Sequence, residues 1–133
     1  SKLNRLCEKE GLRINAFVDD LTKYRFTKSY DLIMTFATLC FVEKDKWRHF
    51  IEDAKEHTNP NGIHIIHTCT NTVPASPDIA PFAVGLADEG EIMELYSDWE
   101  VLQFKTYVFD DEHPNVPKHQ HAVNKLVARK KAS

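Results

Sequence analysis

The segment from residue 30 to residue 68 leaves this chain little choice of fold, because it reads as a complete strand–helix–strand unit. The apolar run Tyr30-Asp31-Leu32-Ile33-Met34-Thr35-Phe36 has the length and residue types of a buried strand. A charged segment from Glu43 to about His57 follows, in which Trp47, Phe50, Ile51 and Ala54 recur at spacings of three and four and share one helical stripe. Asn59-Pro60-Asn61-Gly62 breaks that helix, and Ile63-His64-Ile65-Ile66-His67-Thr68 begins a second strand. Two buried strands joined by a crossover helix pair in parallel, with a right-handed connection. Ligands of such sheets bind beyond the carboxyl ends of the strands, which directs attention to residues 35–41 and 68–72.

The rest of the chain is arranged around this unit. Residues 1–10 read as a helix with Leu3, Leu6 and Cys7 on one face, stopped by Gly11. No strand precedes it, so the chain reads as beginning in the middle of a fold. Residues 13–18 alternate apolar and polar and then meet Asp19 and Asp20, a pattern that predicts a strand ending at a ligand edge. Residues 72–81 contain Pro74, Pro77 and Pro81 among small polar residues and predict a long loop, a common form for a functional lid. Residues 87–96 predict a short helix with acids in its first turn. Residues 99–104 and 121–129 predict two closing strands, with residues 110–117 as a turn-rich loop between them, and so an antiparallel hairpin.

Composition bounds the function classes. The chain has 133 residues, room for one domain with one core, and 42% hydrophobic with 28% charged residues is the balance of an ordinary globular protein. A formal net charge of −3 gives no reason to expect a nucleic-acid or membrane partner. No apolar run reaches the roughly 18 residues that span a bilayer. Cys7, Cys40 and Cys69 are odd in number, lack a Cys-x-x-Cys spacing and sit in apolar contexts, which predicts reduced core thiols in a cytoplasmic protein.

Several segments together carry a family resemblance. They are residues 30–35 with Leu39-Cys40-Phe41-Val42; Lys55-Glu56-His57-Thr58-Asn59-Pro60-Asn61-Gly62; Leu95-Tyr96-Ser97-Asp98-Trp99-Glu100; and Lys125-Leu126-Val127-Ala128-Arg129-Lys130-Lys131. In order and spacing they resemble the tellurite-resistance branch of the class I S-adenosylmethionine-dependent methyltransferases. The resemblance implies an α/β fold with a Rossmann-like methyltransferase sheet and a C-terminal antiparallel hairpin. The third family strand would be residues 13–18, the fourth residues 30–36, the fifth residues 63–68, and the hairpin the sixth and seventh. It also implies S-adenosyl-L-methionine as cofactor. Asp20, with Leu21, would take the position that binds the adenine amino group, and Thr35, Phe36 and Ala37 would touch the methionine end. The acceptor would lie under residues 71–82 and 109–121.

The chain departs from the family in one respect. The glycine-rich Asp-x-Gly-x-Gly cofactor loop and the acid ending the second strand are absent, and none of Gly11, Gly62, Gly85 and Gly90 forms such a loop. Family order runs 3-2-1-4-5-7-6, so the two absent strands would lie between residues 13–18 and 30–36. At about 4.8 Å per strand their absence leaves a gap two strands wide. The expectation is a single partial methyltransferase-like domain over residues 1–133, missing the first two strands, truncated or rearranged, whose cofactor binding is weak or absent. It would be an enzyme if an upstream polypeptide completes the sheet. Direct pairing of the third strand with the fourth, or exchange with a second copy in a homodimer, are the other ways to close the gap.

Methyl transfer to a small soft acceptor such as tellurite, selenite or a thiol needs positioning in a dry pocket more than acid–base work. His113, Lys118, His119 and His121 stand out as acceptor-binding candidates, because His119 and His121 share a strand face and Lys118 adds charge. Two other readings remain open for them: solvent-side strand residues, or a metal site made of three imidazoles. No acid sits at an obviously partnered spacing, so no metal ligand is assigned. His67, near the ligand end of its strand, is the fifth acceptor-side candidate. No catalytic residue is identified. The rival function is a non-catalytic binding or assembly module that recruits a partner through an exposed sheet edge.

Overall fold

The computed structural model describes residues 1–132. Its elements are helix α1 (Lys2–Glu10), strand β1 (Tyr30–Phe36), a 3-10 turn (Leu39–Phe41), helix α2 (Lys44–Glu56), strand β2 (Thr58–Cys69), helix α3 (Glu91–Leu95) and strands β3 (Glu100–His113) and β4 (Val116–Arg129). The strands form one sheet in the order β1-β2-β4-β3, with β1 parallel to β2 and the remaining pairs antiparallel. This is the 4-5-7-6 half of the order that the resemblance implied.

Alternation along β2 sorts the sheet into two faces. His64, Ile66 and Thr68 are buried, whereas Ile65, His67 and Cys69 are less so and face the other way. The buried face meets α2 and α3 in a core of Leu39, Trp47, Ile51, Ile66, Ala87, Ile92, Tyr96, Trp99, Leu126 and Ala128. Trp47, Ile51 and Ala54 supply the helical stripe that the sequence showed, and Phe50 packs at its margin. The other face is open, and on β1 it exposes Leu32, Met34 and Phe36.

A polar chain runs through the core. The Thr58 hydroxyl donates to the Ala54 carbonyl at 2.6 Å, so it must accept from the Nε2–H of His64, 2.7 Å away. The other ring nitrogen of His64 then accepts from the Tyr96 hydroxyl at 2.6 Å. These three contacts fix the neutral tautomer of a fully buried imidazole. Burial, with the charges of Lys55 and Lys130 nearby, lowers its pKa to about 4. Lys130, just past β4, donates from Nζ to the carbonyls of Lys55 and Thr58, both at 2.8 Å. Buried Glu91, at the start of α3, accepts from Lys44 and Arg48 of α2 and from the Asp88 backbone, which ties the two helices together.

Three expectations are corrected. Residues 13–18 form no strand: they are extended and exposed, and no backbone hydrogen bond joins them to the sheet. An alternating pattern becomes a strand only where a neighbour satisfies its backbone groups, and β1 has β2 as its one partner among the described strands. Direct pairing of residues 13–18 with β1, one of the alternatives for closing the gap, does not occur. The closing hairpin is longer than predicted, since β3 and β4 run on through residues 105–113 and 116–120, leaving a tight turn at Pro114 and Asn115, the latter at φ 66°. Finally, Asn59-Pro60-Asn61-Gly62 ends α2 but lies within β2, where the register against β1 shifts.

Two outcomes test this packing. A Cβ on Gly85 would stand 1.7 Å from the Val42 carbonyl oxygen, so Gly85→Ala should destabilise the fold by roughly 3 kcal/mol, read as a shift in the urea midpoint. Because the folded pKa of His64 lies below its unfolded value of about 6.5, the unfolded chain binds the extra proton between those two pH values. Stability should therefore be full above pH 6.5 and fall toward pH 4 by an amount on the order of 3 kcal/mol. Urea titrations across that window should show the loss, and His64→Gln should flatten it.

Candidate functional site

The carboxyl end of β1 is held in an unusual conformation. Ala37, just past Phe36, sits in the left-handed region at φ 47°, which costs a Cβ-bearing residue roughly 1 kcal/mol. Its N–H donates to the His67 carbonyl at 2.9 Å, and the Thr38 hydroxyl donates to the Phe36 carbonyl at 2.9 Å. The chain then turns into the 3-10 segment, where Leu39 and Cys40 are buried. Thr35 lies within β1 with its hydroxyl buried and without a hydrogen-bond partner.

Rings cross the open face of the sheet from this point. Phe36 stacks on His67 at 5.2 Å between centroids and 14° between planes. The His67 Nε2 and the Tyr107 hydroxyl are 2.8 Å apart, and Tyr107 leads through Phe109 to His121. Strand register explains the row: His67 pairs with Lys125, Tyr107 with Val123 and Phe109 with His121, so the odd-numbered side chains of β2, β3 and β4 share one face. A cleft of about 230 Å³ opens beside them, lined by Ala37, Cys40, Phe41, Ile79 and the sheet residues His67, Cys69, Phe109 and Val123, with Asp111, His113 and His121 at its polar end. A larger groove of about 620 Å³ lies between α1 and residues 12–16, but it gathers no comparable group of titratable side chains.

His67 is the titratable centre of the cleft. Burial, together with the Lys125 charge, holds its pKa below the ordinary histidine range, and its Nδ1 is buried without a partner. Cys40 and Cys69, which sequence reasoning did not mark, meet here because β2 ends beside the 3-10 turn. A hydrogen bond from the Cys69 thiol lowers the Cys40 pKa to about 7, while the same contact and burial push the Cys69 thiol up.

At the hairpin tip the structure brings together three of the four singled-out residues and adds one. Asp111 pairs across the ladder with His119. Its Oδ2 lies 3.3 Å from His113 Nε2 and 3.5 Å from His121 Nε2, and the Nε2 atoms of His119 and His121 are 3.0 Å apart. The partnered acid that sequence spacing did not show is therefore Asp111, distant from His119 along the chain but opposite it across the strand pair. Lys118 is not part of this group. It precedes His119 on the strand, faces the opposite side and pairs with Asp110 at 3.5 Å.

The cofactor-side candidates divide in the same way. Phe36 and Ala37 stand at the cleft, whereas Thr35, paired with Ile66, turns its side chain to the buried helix-side face. Leu21 is half-buried against the core, and Asp20 is exposed in a local turn, its Oδ1 accepting from the Thr22 hydroxyl at 2.7 Å and the Thr22 N–H at 3.0 Å. Those bonds, led by the hydroxyl, hold the Asp20 carboxyl below the usual range. No hydrogen bond links Asp20 to residues 35–37 among the described residues. The arrangement predicts that His67 titrates below the ordinary range in an NMR pH series. Lys125→Met should raise that midpoint without restoring it fully, because burial is the larger cause.

Comparison with known proteins agrees with this architecture. A family model described as tellurite resistance protein TehB matches residues 1–120. A probable S-adenosyl-L-methionine-dependent methyltransferase TehB from Haemophilus influenzae is 32% identical over 133 residues, covering 97% of this chain and 45% of that protein. The chain thus spans under half the length of the curated relative it matches. The crystal structure of TehB from Haemophilus influenzae superposes with a TM-score of 0.82 at 27% identity, over 97% of this chain and 45% of that one. The N-methyltransferase NodS from Bradyrhizobium japonicum WM9, solved with S-adenosyl-L-homocysteine, shares the fold alone, at a TM-score of 0.66 and 13% identity over 98% of this chain and 62% of that one. These likenesses bear out the α/β Rossmann-like methyltransferase class. With a family model covering residues 1–120 and a sheet order to match, this chain belongs to the TehB tellurite-resistance family.

Proposed function

We propose that this chain takes part in methyl transfer from S-adenosyl-L-methionine to a small soft acceptor, a tellurium or selenium oxyanion or a thiolate, in the cytoplasm. The observation that carries the reading is the cleft at the carboxyl ends of β1 and β2, with Phe36 and Ala37 beside it and imidazoles at its far end. The described residues fit one wall of a cofactor site. The left-handed turn at Ala37 presents backbone and the half-exposed Phe36 ring can cover an apolar group, while the unpartnered Thr35 hydroxyl lies behind them on the buried face. Asp20 offers an exocyclic amine its Oδ2, which is paired only loosely with exposed Lys23 at 3.7 Å.

When bound, the cofactor supplies an electrophilic methyl group on a positively charged sulfonium. The chain's own part is to exclude water and fix the line of approach, since a soft nucleophile needs little proton movement. His67 is suited to this. With its pKa held down it is neutral at pH 7, so it borders the cleft without repelling a cation. Cys40, Phe41 and Ile79 supply the dry wall. His113, His119 and His121 stand where an anionic acceptor would enter, and Lys118 contributes only from the opposite side of the strand.

One observation favours a second reading, a binding or assembly module. The outer edge of β1 carries no strand among the described residues and exposes Leu32, Met34 and Phe36. An added strand, from a second copy or an upstream polypeptide, would satisfy that edge. Mass in solution separates the readings, a stable homodimer favouring the module.

S-adenosyl-L-homocysteine titrated into isotope-labelled protein should shift the resonances of Thr35, Phe36, Ala37, Asp20 and Leu21. Affinity should be millimolar rather than micromolar, because one wall holds the ligand. Shifts confined to other residues, or none at saturating ligand, would overturn the reading.

A further inference from the structure

We propose that Asp111, His113, His119 and His121 bind one divalent transition-metal ion at the tip of the β3–β4 hairpin. One donor atom from each of the four residues lies within 4.8 Å of every other. The three closest separations are 3.0, 3.3 and 3.5 Å. Four ligands bonded at about 2.0–2.1 Å in a tetrahedron stand about 3.3–3.4 Å from one another. Three of the six separations therefore already match that spacing, and the other three lie within 4.8 Å.

The tautomers agree with that geometry. His119 Nδ1 lies 2.8 Å from the Pro117 carbonyl, so it is the N–H that donates there and Nε2 is left with its lone pair toward the cluster. A backbone carbonyl behind a ligating imidazole is the usual outer support of a metal-bound histidine. His119 and His121 share one strand face, and Asp111 stands opposite His119 on the paired strand, so the ladder holds three of the four donors in place. His113, across the register shift near the turn, is the fourth.

Three imidazoles and one carboxylate suit zinc, cobalt, nickel or copper. Calcium and magnesium require oxygen-rich shells and are disfavoured. Asp111, His113 and His121 also line the polar end of the cleft. A cation there would meet an anionic acceptor directly. That last step rests on the methyl-transfer reading; the binding of the ion does not.

The test is a titration of chelator-treated protein with cobalt(II), in the absence of cofactor and acceptor, followed by ligand-field absorption. One equivalent should bind with the intense bands of a four-coordinate cobalt, and zinc should displace it. His119→Ala and His121→Ala should each weaken binding at least about a hundredfold. Asp111→Asn should weaken it while keeping the side-chain shape, and Gln120→Ala, on the opposite face, should not change it. Circular dichroism of each variant separates ligand loss from unfolding, and the unsubstituted protein decides without any variant. Absence of saturable cobalt absorption overturns the proposal, as does binding left intact by both histidine substitutions or removed by Cys40→Ser. Since neither cofactor nor acceptor is present, failure here leaves the methyl-transfer reading standing, and the converse holds as well.

Discussion

The two-residue alternation of β2 and β4 is the constraint from which the rest follows. Each strand gives its even-numbered side chains to the helix layer and its odd-numbered ones to the open face, and the antiparallel register between them aligns the two sets. At the even position of His64 the imidazole is satisfied by Thr58 and Tyr96 in a closed chain, whereas Thr68 and Asn124, also on the helix side, each bury a polar atom without a partner. Odd positions are free to differ, and there His67, Cys69, Tyr107, Phe109 and His121 collect. A register slip of one residue would exchange the sets and bury the imidazoles of the open face in the helix layer.

Much of this was legible in the sequence, because it depended on local periodicity. The helical stripe of α2, the apolar runs of β1 and β2, the Gly11 stop and the long proline-bearing loop each follow from spacings within one element. Family resemblance added the strand order, which no local pattern contains. Trp47, on the α2 stripe, is fully buried, and Asp31, near the start of β1, is exposed and accepts from Asn59 at 2.8 Å.

What was not legible depends on partners distant in sequence. Residues 13–18 have the right alternation and no neighbour to pair with, so the pattern alone misleads. Residues 110–113 look like a loop because Asp110-Asp111-Glu112-His113 are polar on both faces and end at Pro114, yet a two-stranded ribbon standing clear of the core carries such residues without penalty. Asp111 could be matched to the histidines only after the ladder register was known, and Cys40 met Cys69 only once a turn and a strand end were placed side by side. Lys118 stands apart from the histidines for the opposite reason: adjacent residues of a strand face opposite sides.

The order of strands in space differs from their order along the chain, and this sets when the protein can assemble. β4 is the last strand in sequence yet stands between β2 and β3. Until it arrives, β3 has no ladder partner and β2 lacks its second neighbour. Lys130, directly after β4, then clasps the end of α2 through two carbonyls. A ribosome-bound chain halted before residue 116 could form the β1–α2–β2 crossover but not the sheet, so the cooperative step should wait until β4 has emerged, and these sequence-distant contacts should slow it.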